Sequence, residues 1–288
     1  MAHPVARLAG ALLSVAALLW LALEARARWD DLNPSILSSE TAVIAILGSL
    51  GLGAAYWLQG LNWRDLVRLF ARDTALPSAP LVGSAMTTQI AKYLPGNVAH
   101  LAGRHLQAAG TGVSNTALGK ALASEIAVLV ASAGLIALAA LSLAPGSLQF
   151  EGWSLQTPAV VALVGLVLVG FVVARKAGRL SRVLPKLVLR AGLWIFVFGL
   201  VFWAILVTIH PVSLGSAMAA ASIGWAIGFA TPGSPGGIGT REGAMTLLLS
   251  PTVPLDALIP ALALFRLVTV LADLVCFALG RMIRKSGW

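Results

Sequence analysis

Charge is what this sequence has least of. Only 11% of its 288 residues are Asp, Glu, Lys or Arg, while 58% are apolar. A soluble domain carries about 25% charged residues, so water is not the solvent for most of this surface. Cysteine is nearly absent: the single Cys276 lies inside an apolar stretch, which excludes a disulfide framework and a Cys-based metal site. Acids are scarcer than bases, eleven against twenty, for a net charge of +9. The bases are spread between long apolar runs instead of gathering on one soluble face, which argues against nucleic acid as a partner. What remains is the composition of a polytopic membrane protein.

A bilayer core of about 30 Å needs roughly 20 apolar residues per helix. Six stretches meet this: Val5–Leu23, Thr41–Gly60, Thr116–Leu143, Pro158–Ala174, Ala191–Ile209 and Leu258–Ile283. The first ends near an Ala25-x-Ala27 pattern, but its apolar run is longer than a signal peptide's and membrane follows, so it reads as a span. Two further segments are apolar but broken. Leu81–Ala109 is interrupted by Tyr93-Leu94-Pro95-Gly96-Asn97, and Leu214–Leu249 by the Pro- and Gly-rich run from Thr231 to Gly239. Proline removes a helix donor and glycine tolerates any turn, so each segment reads as helix, break, helix.

Loop charges set the expected orientation. Arg175–Arg190 holds six bases and no acid. Fixing that loop in the cytoplasm brings Arg7, Arg64, Arg68, Arg72, Arg104, Lys120, Arg281, Arg284 and Lys285 to the same side. Arg26 and Arg28 are left outside with Glu24, Asp30, Asp31, Glu40, Glu151 and Asp256. The tally closes only if both broken segments are re-entrant hairpins, with both termini cytoplasmic.

The order helix, helix, hairpin, helix then occurs twice, with opposite sense in the membrane. Pro95-Gly96 and Pro232-Gly233 lie 137 residues apart, and each glycine is followed eight residues later by an arginine, Arg104 or Arg241. The expected fold is therefore an all-α polytopic membrane protein of six full spans plus two re-entrant helical hairpins arranged as an inverted repeat. It forms one transmembrane domain over residues 1–288, with repeats of about 1–145 and 150–288. Broken helices in matching positions of an inverted repeat are how many secondary transporters place a ligand near the midplane.

Six ionisable residues remain at membrane depth: Lys92, Arg241, Arg266, Glu125, Glu242 and Asp273. Each is costly in hydrocarbon unless it is paired or faces a cavity. Equal numbers permit full pairing, and Arg266 and Asp273, seven apart on one helix, can share a face. Lys92 and Arg241 flank the breaks, where anion binding is the chemistry to expect. A glycine-rich turn leaves N–H groups unpartnered, and the half-helix after it presents a positive end. Gly233, Pro235, Gly236, Gly237 and Gly239 open onto Thr240, Arg241 and Glu242; in the first hairpin Asn97, His100 and Arg104 follow the break on roughly one face. A phosphate or phosphodiester is the natural guest.

Catalytic and cofactor patterns do not occur. The histidines His3, His100, His105 and His210 lack metal-ligand spacing. Gly237–Gly243 is one residue out of register for a dinucleotide loop, and Gly119-Lys120 is followed by Ala121, so no Walker motif and no ATP site are read. Any coupling would come from ions, potential or a gradient.

Lys92-Tyr93-Leu94-Pro95-Gly96-Asn97 with Gly103-Arg104, then Glu125, then the run from Thr231 to Glu242, resembles the lysylphosphatidylglycerol synthase transmembrane family. This is the flippase-like membrane domain also found in the multiple peptide resistance factors. The resemblance spans nearly the whole chain, and the two hairpin motifs are its specific part. It implies movement of an anionic phospholipid, an aminoacylated lipid or a polyprenyl-phosphate-linked lipid between leaflets of the bacterial cytoplasmic membrane. Residue by residue it points to Lys92, Pro95, Gly96, Arg104, Glu125, Pro235, Gly236, Gly237, Gly239, Arg241 and Glu242. With only a few residues after Ile283 there is no room for the fused synthase domain, so no enzyme activity and no cofactor are expected. Two other readings stay open at this point. One is a transporter of a small soluble anion; the other is a non-transporting membrane partner of an envelope glycosyltransferase or synthase.

Overall fold

The computed structural model describes residues 38–94, 98–142, 149–150, 153–154, 178–231 and 234–286. The expected spans Val5–Leu23 and Pro158–Ala174, and the site residues Pro95, Gly96, Asn97 and Gly233, lie outside the described residues. Apart from a two-residue antiparallel pair, β1 (Gln149–Phe150) with β2 (Trp153–Ser154), the described chain is helical.

Helix α1 (Ser39–Ala71) starts where the Ser38 hydroxyl accepts the Thr41 N–H at 3.1 Å, with Glu40 in the first turn; it stops at Arg72 in a left-handed conformation. Side-chain capping and an acid near the positive helix end both favour initiation there. The chain continues as α2 (Ser78–Thr88), a 3-10 turn (Gln89–Tyr93), α3 (Ala99–Ala109), α4 (Asn115–Ser142) and α5 (Arg179–Val207). Then come α6 (Leu214–Ala230), a 3-10 turn (Pro235–Gly237), α7 (Thr240–Leu249) and α8 (Leu255–Lys285).

Four of these helices, α1, α4, α5 and α8, are long and apolar enough to cross a bilayer, and α6 is a shorter apolar helix. The protein is a helical integral membrane protein. The helices on either side of each expected break touch one another. Gly103 of α3 faces Thr88 of α2, while Gly224 and Gly228 of α6 face Met245 and Arg241 of α7.

Small residues let the long helices approach closely, as membrane packing requires. A Cβ at Gly53 of α1 would lie 2.8 Å from the Ala272 carbonyl of α8, and one at Gly48 would lie 2.8 Å from Val201 of α5. Large apolar side chains also point outward: Ile46 and Leu47 of α1 are 59% and 63% exposed, as expected of a surface that meets lipid.

Charge collects at one end of the bundle. Asp65 of α1 binds Arg64 at 2.7 Å and Arg190 of α5 at 2.8 Å, and Arg68 donates to the Leu76 carbonyl and the Ser78 hydroxyl. Arg284, near the C-terminus of α8, donates to Gln107 of α3 at 2.9 Å. These contacts tie the C-terminal part of α1 to the start of α2 and to the N-terminal half of α5, and the C-terminal end of α8 to that of α3.

Candidate functional site

The two breaks meet in the middle of the bundle. Gly236 of the second break has φ +57°, and a Cβ there would fall 2.7 Å from the ring of Tyr93 in the first. Only glycine satisfies both that backbone and that ring. Around this meeting point lies a cavity of about 70 Å³, room for a small ion or a few waters. Its walls come from α1, the first break, α3, α4, α5, α6, the second break, α7 and α8.

Three basic side chains, Lys92, Arg104 and Arg241, line it, and a fourth, Arg266, stands behind the second break. Lys92 Nζ binds Asp273 of α8 at 2.8 Å and the Tyr56 hydroxyl at 3.0 Å, and the same carboxylate accepts from the Tyr93 hydroxyl at 2.5 Å. Arg104 binds Glu125 of α4 at 2.8 Å and lies over the Trp63 ring. Arg241 binds Glu242 at 3.0 Å and rests against Phe198 and Phe265. Arg266 donates to the Gly236 carbonyl at 3.0 Å and approaches Glu242 at 3.5 Å. Four cations thus face three acids.

Of the residues singled out in the sequence, Lys92, His100, Arg104, Glu125, Gly236, Gly237 and Arg241 line the cavity. Glu242 stands behind Arg241, while Pro235, Gly239 and Thr240 build the turn without lining it. Three expectations change. Arg104 is not a loop charge: it is 5% exposed and paired inside the bundle, because α3 folds back against α2 and turns its His100–Arg104–Ala108 face inward. Arg266 and Asp273 do not pair along their helix, since each has a closer partner across the breaks.

The third change concerns the backbone donors of the second break, several of which are spent internally. Gly237 N–H goes to Ser234, Ile238 N–H to Pro235 and Gly243 N–H to Gly239. Gly239 N–H goes to the Glu242 carboxylate at 2.8 Å, so an anion supplied by the chain already caps α7.

Several cavity residues had no place among the expected site residues. Tyr56 and Gln59 lie three apart on one face of α1, and Trp194, Phe198, Trp225 and Phe229 form an aromatic wall. Trp194 packs against Tyr56 at 5.2 Å and against Trp225 at 5.5 Å, and Trp225 stacks on Phe229 at 5.2 Å. Gln59 was detectable as a lone amide within an apolar span; the tryptophans gave no signal beyond hydrophobicity.

Buried polar atoms on these walls have no hydrogen-bond partner among the described residues: both amide atoms of Gln59, Trp194 Nε1, His100 Nδ1, Arg104 Nε and Glu125 Oε2. Buried polar groups are nearly always satisfied, and leaving one unmade costs about 1–3 kcal/mol. Their convergence on one cavity marks it as a place for a polar guest. Among the described residues there is no cluster of His, Cys, Asp and Glu suited to a metal ion.

No protein-family model matches this chain, and a search of curated proteins finds no match. The family likeness rests on the motif residues themselves.

Proposed function

We propose that this protein is a lipid flippase of the lysylphosphatidylglycerol synthase transmembrane type. The headgroup phosphate sits in the central cavity and the acyl or prenyl chains stay in lipid. One observation carries the reading: a cavity where two helix breaks meet, walled by more bases than acids and by buried polar atoms that lack partners. A cation at membrane depth is retained when it is paired or serves a pathway, and one of these four is left over once the three acids are counted.

Arg104 and Arg241 hold the phosphate, with Lys92 beside them, and Glu125 and Glu242 keep the guanidiniums aimed. The two hairpins enter from opposite faces as halves of an inverted repeat of six spans and two hairpins, and rocking of the halves exposes the cavity to each leaflet in turn. The basic end of the bundle faces the cytoplasm of a bacterial inner membrane, as the excess of Lys and Arg there favours.

The test is leaflet exchange of a fluorescent short-chain anionic phospholipid in proteoliposomes. Arg241→Ala should insert normally and lose at least about tenfold in rate, the loss of one charge-assisted phosphate contact; an unchanged rate would remove Arg241 from the site.

A second reading, a carrier of a small soluble anion, is favoured by the cavity volume of about 70 Å³, which fits a bare phosphate better than a whole headgroup. Uptake of inorganic phosphate into the same vesicles, with no exchange of lipid, would select it.

A further inference from the structure

A cleft of about 320 Å³, against about 70 Å³ for the central cavity, opens at the charged end of the bundle. It lies where the C-terminal end of α1 meets the first turns of α4 and α5, and it shares no lining residue with the central cavity. We infer that this cleft binds a membrane lipid with two phosphates in its headgroup, of the cardiolipin type. Arg72, Lys120 and Arg179 hold the phosphates.

The first argument is charge of one sign. Arg72, Lys120 and Arg179 line the cleft, and no acid does. Neighbouring bases are already engaged: Arg64 and Arg190 bind Asp65, while Arg68 donates to the Leu76 carbonyl and the Ser78 hydroxyl. Asp73, next to Arg72 in the chain, accepts the Ala75 N–H at 2.8 Å. The three cleft bases have no ion pair and no side-chain hydrogen bond among the described residues. All three are exposed, so water solvates them when the cleft is empty and each contact with an anion is worth little alone. Several phosphate contacts must act together. One phosphodiester leaves two of the three charges uncompensated, and a two-phosphate head leaves one.

The second argument is the backbone. Arg72 has φ 57° and ψ 30°, and it is the one residue other than glycine with positive φ among the described residues. Glycine is the usual residue where a helix ends in that conformation, so an arginine there gives up backbone ease for its side chain. Beside it, α5 starts at Gly178 with no side chain capping it. That leaves the positive end of the helix at the cleft for an anion.

The third argument is the rest of the wall, which favours an anion attached to a lipid. Leu69, Phe70, Ala117 and Leu180 give the cleft an apolar side. Phe70 and Leu180 pack on the buried apolar cluster that joins α1, α4 and α5. The apolar run that lets α4 cross a bilayer begins directly after Lys120, which places this lysine at headgroup depth. Basic pockets between membrane helices at that depth suit two-phosphate headgroups. A lipid seated there fastens the ends of three helices to one another.

The experiment is native mass spectrometry of the full chain in detergent micelles, titrated with cardiolipin, with phosphatidylglycerol at matched phosphate, and with inorganic pyrophosphate. Cardiolipin should bind about fivefold tighter than phosphatidylglycerol, the worth of one more exposed charge contact. Lys120→Gln with Arg179→Gln should weaken cardiolipin binding about tenfold. Arg281→Gln with Lys285→Gln, which removes two exposed charges from the end of α8, should change it by less than about twofold. Arg72→Gly should weaken binding about threefold to fivefold yet raise the unfolding temperature of the lipid-free protein, because glycine fits that backbone. A fall in that temperature would make Arg72 a structural residue and remove it from the site. Equal binding of cardiolipin and phosphatidylglycerol would overturn the two-phosphate headgroup, and pyrophosphate binding as tightly as cardiolipin would overturn the lipid. An equal loss in the Arg281 and Lys285 variant would mean attraction to the whole basic end and no site. Cardiolipin binding unchanged in both cleft variants would overturn the cleft itself. Each of these outcomes leaves the flippase reading to its own test of leaflet exchange.

Discussion

In the first hairpin the arginine eight residues past the break finds its acid on another helix, Arg104 with Glu125, 21 residues on; in the second the acid is the next residue, Arg241 with Glu242. The two motifs look alike in sequence yet do different work. Glu242 is a local hub: it binds Arg241, approaches Arg266 and caps α7 through the Gly239 N–H. It travels with α7 wherever that half-helix goes. Glu125 is a tie between α3 and α4, and any motion that parts those helices must break it. In a carrier with two access states, the second pair would persist through the cycle and the first would report on it.

The largest effect follows from the hub. Glu242→Ala leaves two buried guanidiniums without that carboxylate and uncaps α7, and should cost about 5 kcal/mol, the upper end for breaking a buried ion pair. Denaturant titration in mixed micelles measures it. A cost below that of Glu125→Ala would invert the comparison.

Glu125→Ala should cost about 3 kcal/mol, at the lower end of that range because Arg104 keeps the Trp63 ring beneath it. Replacing both partners, Arg104→Met with Glu125→Met, should recover most of that loss, since an apolar pair carries no desolvation penalty. The double variant should stay folded and fail to move lipid, separating the stability of the tie from its use. A double variant as unstable as Glu125→Ala would mean that the pair is not what holds α3 to α4.

Four of the six expected spans, and the places where helices end at the two Pro-Gly runs, were legible because their signals are local: twenty apolar residues in a row, or Pro-Gly inside such a run. Thr41–Gly60, Thr116–Leu143, Ala191–Ile209 and Leu258–Ile283 each fall on a described long helix. What was hidden depends on helix rotation. Trp194 and Trp225 sit on helices that are apolar all round, where no periodicity tells a cavity face from a lipid face. Arg104 counted as a loop charge because α3 is short and ends in Gly110, and only its packing on Trp63 and Glu125 brings it inside. Asp273 and Arg266 were visible as costly residues, but their partners lie on segments remote in sequence, at Lys92 and Gly236.

The smallest effects sharpen the contrast between the hairpins through their glycines. A Cβ at Gly228 would lie 2.9 Å from Arg241 Cβ and 3.2 Å from the Gly237 Cα, atoms fixed by backbone. A Cβ at Gly103 would lie 3.1 Å from the Thr88 methyl, which sits on a side chain able to give. Both positions are helical, so alanine gains up to about 1 kcal/mol in propensity at each. Against that, overpacking costs about 1–3 kcal/mol where nothing can move. Gly228→Ala should therefore destabilise by about 1–2 kcal/mol, while Gly103→Ala should change stability by less than about 1 kcal/mol in either direction. Equal losses at the two sites, in the same micelle titration, would mean that the arms of the first hairpin are held as rigidly as those of the second. The Arg104–Glu125 tie would then have no freedom to open.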